Sequence, residues 1–296
     1  MKNLQHLSTQ IGNAGLKNEV QILISDNCSP DSTQFDVADF IASEFSVEIS
    51  IQYFRTPENI GLEGNAINVL SKATSEFVLW TGDDDYLAEG YLAYLVRLIT
   101  ERRSIGCVIP GLASLYADGS VVPARCEEFD EQFVERGFDG AWLYSHLAHQ
   151  MSGLLLKRHG LLDSYLSNPG YRNPYLFIYF VANRMLSYDA IYAPSYRTQV
   201  TVFNQKDWGY NSVGLLDEVY KNYNALTDRL SHREIYELSL RFTTVHSYRL
   251  AFRPYKFRVL IRQFGKLTTL GGCGIEFKLR LGILFVKESL LCLAGK

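Results

Sequence analysis

Three consecutive carboxylates, Asp83-Asp84-Asp85, follow an apolar run, Phe77-Val78-Leu79-Trp80, and a Thr81-Gly82 step. Three neighbouring acids repel one another and cost stability unless a positive charge joins them. A divalent cation bridging to a phosphate supplies that charge, because hard cations prefer oxygen ligands. A solvated acidic turn that caps the following helix is the plainer reading. A second polar cluster, Asp26-Asn27-Cys28-Ser29-Pro30-Asp31-Ser32-Thr33, is dense in side-chain acceptors and hydroxyls. Its Asp26 and Asp31 are also good turn and cap residues. A third stretch runs from Arg55 through Glu58-Asn59-Ile60-Gly61 to Asn65 and has the composition of a turn leading into a helix.

The pattern around these residues indicates how they are positioned. Leu4, Leu7 and Ile11 recur at helical spacing over residues 2–13, and Gly15 ends that helix. Residues 20–25 form an apolar strand that runs into the Asp26 cluster. Helix 35–45, strand 47–54 and helix 65–73 follow. The aromatic and β-branched run 77–80 is a buried strand ahead of helix 87–103. Such alternation implies a mostly parallel sheet covered on both faces. In open sheets of this kind ligands bind beyond the carboxyl ends of the strands, where the acidic triplet lies. Past residue 104 the regularity falls. A hairpin is expected over 105–116 and 121–123, a helix over 130–149, a strand over 151–156 and a loop over 167–174. Helix 176–186 and strand 190–193 come next, then a polar, aromatic stretch over 205–212 with Trp208 and Tyr210. From 213 the chain reads as helical nearly to its end.

At 296 residues, 47% apolar and 21% charged, the chain can bury a full core and carry an appendage. Cys28, Cys107, Cys126, Cys273 and Cys292 are odd in number and without CxxC spacing, and no signal peptide precedes them. They read as free thiols in a reducing compartment, and no zinc site is suggested. The net charge of −3 conceals an asymmetry. Residues 249–296 hold ten Lys and Arg against Glu276 and Glu288, a net +8; the other 248 residues hold 19 Lys and Arg against 30 acids, a net −11. In 257–264 basic residues alternate with Val259, Leu260 and Ile261. In 275–293, Leu279, Ile283, Val286 and Leu290 recur at helical spacing among Lys278, Arg280 and Lys287. This suits a helix lying on an anionic membrane surface. A helix packed on the body with a solvated basic face has the same pattern. Nucleic acid is not an expected partner, because no aromatic platform or recognition motif accompanies the charge.

Ile24 to Thr33, Glu58-Asn59-Ile60-Gly61 with Asn65, and Gly82-Asp83-Asp84-Asp85 stand in family order and at family spacing over about residues 1–105. In these blocks the chain resembles the family-2 glycosyltransferases with the GT-A fold, nearest to the bacterial O-antigen and capsule polysaccharide type. The resemblance implies an α/β, GT-A (Rossmann-like), mostly parallel sheet with helices on both faces and a helical C-terminal extension. It divides the chain into a transferase domain over 1–210, with its nucleotide-binding part in 1–105 and its acceptor part in 106–210, and a helical basic region over 211–296. It implies an inverting enzyme that moves a sugar from a nucleotide-sugar donor to a lipid-linked saccharide acceptor. The setting it implies is cytoplasmic, peripheral on the inner face of the cytoplasmic membrane.

Carried over residue by residue, the donor contacts are Asp26, Asn27, Ser29, Asp31, Asn59, Gly61, Asn65 and Asp83. The Asp26 carboxylate can accept the imide N–H of a uracil or an amine of another base, while Ser29 and Asp31 bond the ribose or base edge. The metal, Mg2+ or Mn2+, falls to Asp84 and Asp85, which compete for the place because the triplet aligns in more than one way. There it neutralises the departing diphosphate. Two departures stand out. The family opens with a central strand ahead of the first helix, and here Met1 falls at the start of that helix; a gap in the sheet is expected. Inverting members also place a carboxylate late in the domain to deprotonate the acceptor, and near Asn173-Pro174-Tyr175 there is none. Asp163, His146, His149 and Asp189 are other candidate bases, and none is assigned. The competing readings are a nucleotidyltransferase, and a catalytically inactive or truncated protein that binds nucleotide or a membrane surface.

Overall fold

A computed structural model describes residues 1–43, 49–124, 130–202, 215–247, 265 and 274–294. The first half alternates as the pattern implies: α1 (Lys2–Asn13), β1 (Gln21–Asp26), α2 (Thr33–Ala42), β2 (Ser50–Arg55), α3 (Gly61–Lys72), β3 (Phe77–Leu79) and α4 (Tyr91–Glu101). The second half adds β4 (Ile105–Leu115), β5 (Val121–Pro123), β6 (Gln132–Val134), α5 (Phe138–Tyr144), β7 (Leu155–Lys157), α6 (Leu161–Leu166), α7 (Leu176–Ser187) and β8 (Asp189–Thr201). Then come α8 (Leu215–Asn224), α9 (His232–Val245) and α10 (Ile275–Leu293).

The strands pair as a two-stranded parallel sheet, β1-β2, and a six-stranded sheet in the order β3-β7-β4-β8-β6, with β5 hairpinned onto β4. The main sheet is therefore mixed rather than mostly parallel. Only β4–β8 is parallel within it, because the short β7 inserts antiparallel between β3 and β4 and β6 adds antiparallel to the edge. Helices cover both faces, as expected. Along β8, Ala190 and Tyr192 enter one core cluster and Ile191 and Ala193 the other, which is the two-residue period of a strand packed on both sides. One cluster takes α1 and α4; the other takes α3, α5, α6, α7, α8 and α9. α7 is buried from Leu176 through Met185, which matches a helix apolar on every face.

Some spans differ from the sequence reading. The helix expected over 130–149 is divided into β6, α5 and a 3-10 turn at Ser145–His149. Gly137, at φ 135°, makes the break that lets 132–134 pair with β8. The strand expected over 151–156 is confined to β7, and that expected over 190–193 extends to Thr201 along β4. Trp208, Tyr210, residues 257–264 and the 210/211 boundary lie outside the described residues.

β1 and β3 belong to different sheets. Each has a strand partner on one edge alone among the described residues. α1 covers one face, since Leu7 and Ile11 share a cluster with Ile22, Phe77 and Leu79. α3 covers the other, where Ala66 and Leu70 share a cluster with Val78 and Trp80. Ile22, Leu23, Ile24, Val78 and Leu79 remain half-buried, although central strands of a covered sheet are normally buried.

Candidate active site

The parallel register sets Asp26, the last residue of β1, opposite Arg55, the last of β2. The buried Asp26 carboxylate accepts from Tyr53 Oη–H (2.5 Å) and Arg55 Nη1 (3.0 Å) on one oxygen, and from the Ser29 N–H (2.8 Å) on the other. Burial pushes its pKa up, but the bonds from Tyr53 and Ser29 and the Arg55 charge outweigh that and hold it below the ordinary carboxylate value. Tyr53 moves the opposite way: burial and its bond to Asp26 raise the phenol. Three of the roughly four acceptor directions of the carboxylate are thus in use, leaving about one for a base N–H. Arg55 also donates to the Ser29 carbonyl at 2.9 Å, so it closes the loop that Asp26 begins.

Asn27 ties this loop to the turn before α3. Its Oδ1 accepts from Ile60 N–H (2.9 Å), and its Nδ2 donates to Asn59 Oδ1 (2.8 Å) and the Gly61 carbonyl (3.3 Å). Asn59 Oδ1 accepts Gly61 N–H at 2.9 Å, and Gly61 sits at φ 76°, where glycine carries no Cβ penalty. Asn65 grips the end of β1, exchanging bonds with Ser25 at 2.6 and 3.0 Å. Asp26, Asn27, Ser29, Asn59, Gly61 and Asn65 are therefore brought together. Asp31 stands apart, exposed. Its carboxylate accepts from Thr33 N–H and Oγ1–H (3.0 and 2.5 Å) at the start of α2, and those bonds lower its pKa.

The acidic triplet divides by burial: Asp83 is exposed, Asp84 half-buried and Asp85 buried. Asp85 accepts from Ser152 Oγ–H (2.5 Å) and from Thr201 N–H (3.2 Å). Ser152 Oγ in turn accepts Gly82 N–H at 2.9 Å, and Thr201 Oγ1 donates to the Asp84 carbonyl. Asn3 of α1 donates to the Gly82 carbonyl at 2.6 Å, and Tyr86 pairs in both directions with Gln199. Asp85 is thus the anchor of the loop, with both oxygens on protein donors, which suits it poorly to the metal role expected for it. Asp84 keeps a half-exposed carboxylate beside exposed Asp83. Among the described residues no three His, Cys, Asp or Glu side chains form a metal cage. A pair of carboxylates still fits Mg2+ or Mn2+, which complete their shells with substrate phosphates and water.

The candidate bases are scattered. Asn173 is buried and hydrogen-bonded to Asn222, Tyr165 and the Tyr175 N–H. Asp163 is exposed on α6. His146 is buried, and His149 packs edge-on to His246 at 4.6 Å. Asp189 opens β8, whose far end, Thr201, touches Asp85; the paired β4 spans Ile105 to Leu115 over the same length, so at about 3.3 Å per residue that is roughly 30 Å away. A carboxylate that does reach the Asn173 segment is Glu63, from the first turn of α3, bonded to Tyr165 Oη (2.8 Å) and Arg172 (2.9 Å). Sequence reasoning also missed Tyr53, Arg55, Ser152 and Thr201. Only Arg55 had a signal, being a cation at the end of the strand next to that of Asp26.

Residues 3–141 match the family model described as Glycosyl transferase family 2. Among solved structures, the chain is similar to residues 1–349 of TarS from S. aureus, at 15% identity and a TM-score of 0.65, covering 97% of this chain and 85% of that one. The same TarS segment in complex with UDP gives 15% identity and 0.60, covering 95% and 83%. The mannosyltransferase PcManGT from Pyrobaculum calidifontis, in complex with GDP-Man and Mn2+, gives 15% and 0.57, covering 99% and 76%. No curated protein matches the sequence. Such low identities carry the fold, and the family model carries its own segment: residues 3–141 form a family-2 glycosyltransferase domain, in a chain with the fold of the GT-A glycosyltransferase structures it is similar to.

Proposed function

We propose that the chain transfers a sugar, with inversion, from a nucleoside-diphosphate donor to a lipid-linked saccharide of bacterial surface polysaccharide, at the inner face of the cytoplasmic membrane. The observation that carries the donor reading is that two strand ends are each prepared for a ligand. Asp26, charged and fixed, stands at the end of β1, and Asp83 and Asp84 follow β3 on a loop anchored by Asp85. Asp26 offers an acceptor to the base edge. Asn27 and Asn59 hold the loop in which Ser29 reaches the ribose. Asp83 and Asp84 hold Mg2+ or Mn2+, which when bound offsets the diphosphate charge. UDP and GDP are the nucleotides to test first, since the TarS and PcManGT structures contain UDP and GDP-Man. Removing Asp26 by an Asp26→Ala change leaves Tyr53 and Arg55 without their acceptor and weakens nucleotide binding by about 1–3 kcal/mol, with or without metal. An unchanged affinity in calorimetry would make Asp26 a turn residue only.

One observation favours a second reading, an inactive nucleotide-binding protein: no carboxylate stands at Asn173-Pro174-Tyr175, and Asn173 is tied into an amide network. Release of nucleoside diphosphate from UDP-sugars and GDP-mannose in the presence of membrane extract separates the two. Turnover supports transfer, and binding without turnover supports the second.

A further inference from the structure

α10 is amphipathic in the inverted sense. It meets the body through buried Phe277 and Leu281, with the Phe277 ring 6.0 and 5.8 Å from those of Tyr220 and Tyr236 and Arg280 paired to Glu237 at 3.3 Å. A surface helix normally turns its apolar stripe inward. Here Ile275, Leu279, Ile283, Val286 and Leu290 are 79, 64, 69, 55 and 60% exposed. Their spacing of three and four residues sets them on one stripe along the whole helix. That is a continuous aliphatic ridge, unlike the single exposed apolar residues that any surface carries. At 100° per residue, Lys287 and Arg280, the latter paired with Glu276 at 2.7 Å, border one side of it and Lys278 the other.

We propose that this ridge is a membrane-docking surface whose occupant is an anionic lipid bilayer. Charge selects that occupant. Lys287 stands on one border and Lys278 on the other, Arg280 is balanced by Glu276 and Glu237, and residues 249–296 sum to +8, so lipid phosphates complement the surface. Packing against a second copy through the same ridge brings like charges together instead. No described helix is long and apolar enough to cross a membrane, so α10 lies in the interface with its ridge among the acyl chains. The proposal deepens the function given above, and rests on it only for what the membrane carries.

The test is co-sedimentation of the full chain with phosphatidylcholine vesicles, with and without phosphatidylglycerol, at low and high salt. Nucleoside-diphosphate affinity is measured on the same preparations. The wild type binds the anionic vesicles at low salt and in part at high salt. Lys278→Gln with Lys287→Gln lowers the partition coefficient roughly tenfold at low salt and little at high salt, where charge is screened. Leu279→Gln, Ile283→Gln and Leu290→Gln together lower it about a hundredfold or more at both salts, with melting and nucleotide affinity unchanged. Vesicle binding equal to wild type in the triple variant overturns the proposal. So does loss of cooperative melting, which makes the ridge core packing, or a wild-type dimer that ignores vesicles and is dispersed by the triple change, which makes the occupant a second copy. Absent nucleotide binding beside intact vesicle binding defeats the donor reading and leaves the docking surface standing.

Discussion

Asp26 stays charged because of its neighbours. Its folded-state pKa is depressed, so the stability it contributes is present above the ordinary carboxylate value near 3.9 and is lost as pH falls through the lowered value. Tyr53→Phe removes the leading hydrogen bond and brings the folded pKa back toward the ordinary value. Acid unfolding should then begin at higher pH, with a loss of about 0.5–1.5 kcal/mol at neutral pH; a pH series of urea midpoints reads both, and an unshifted acid limb would contradict the assignment. Asp84 and Asp85 are adjacent in sequence but differ in burial and bonding, Asp85 being buried on Ser152 and Thr201. Asp85→Ala leaves the Ser152 hydroxyl and Thr201 N–H without their acceptor and should cost about 2–4 kcal/mol of stability. Asp84→Asn keeps the size and hydrogen-bonding shape of the side chain and should lower the melting temperature by clearly less than Asp85→Ala does. Equal thermal shifts for the two variants would refute this division of labour.

At the scale of elements, the loop before β7 fixes the acidic loop. Gly153 donates to the Trp80 carbonyl at 2.7 Å and accepts from Tyr91 Oη at 2.9 Å. It sits at φ 88°, and a Cβ there would meet Thr198 Oγ1 at 2.4 Å and Pro110 Cγ at 2.6 Å. Gly153→Ala should therefore destabilise by about 2–4 kcal/mol through overpacking and strain, read as a lowered urea midpoint; a neutral outcome would mean the loop shifts freely. The elements as far as residue 104 were legible because helices of 10 to 12 residues alternate with the six-residue β1 and β2, and because the three-residue β3 lies in an aromatic and β-branched run. β5, β6 and β7 have three residues each, too few to show a period. That is why the sheet was read as mostly parallel and 130–149 as one helix. The cluster of Asp26, Asn27, Asn59 and Asn65 was legible because Asp26 and Asn27 close β1 and the Asn59 to Asn65 stretch follows β2, its neighbour in the sheet. Ser152 and Thr201 lie 67 and 116 residues from Asp85, and no spacing rule reaches so far.

In the whole molecule, one core joins the two halves. Leu216, Val219, Tyr223, Ile235, Leu238 and Phe277 from the last three helices lie in the same cluster as Cys107, Leu156 and α7. The described helices of the C-terminal part, α8, α9 and α10, are therefore packed on the same core as α7. The donor site depends on a different division, the one inside the acidic triplet. Isothermal titration of UDP and GDP, with and without Mn2+, into wild type, Asp84→Asn and Asp85→Asn tests it most directly. One nucleotide should bind wild type at least about tenfold more tightly with Mn2+ than without, a coupling of roughly 1.4 kcal/mol. Asp84→Asn should abolish that gain and keep the metal-free affinity, while Asp85→Asn should lose stability first. A Mn2+ effect of the same size in wild type and Asp84→Asn would contradict the account.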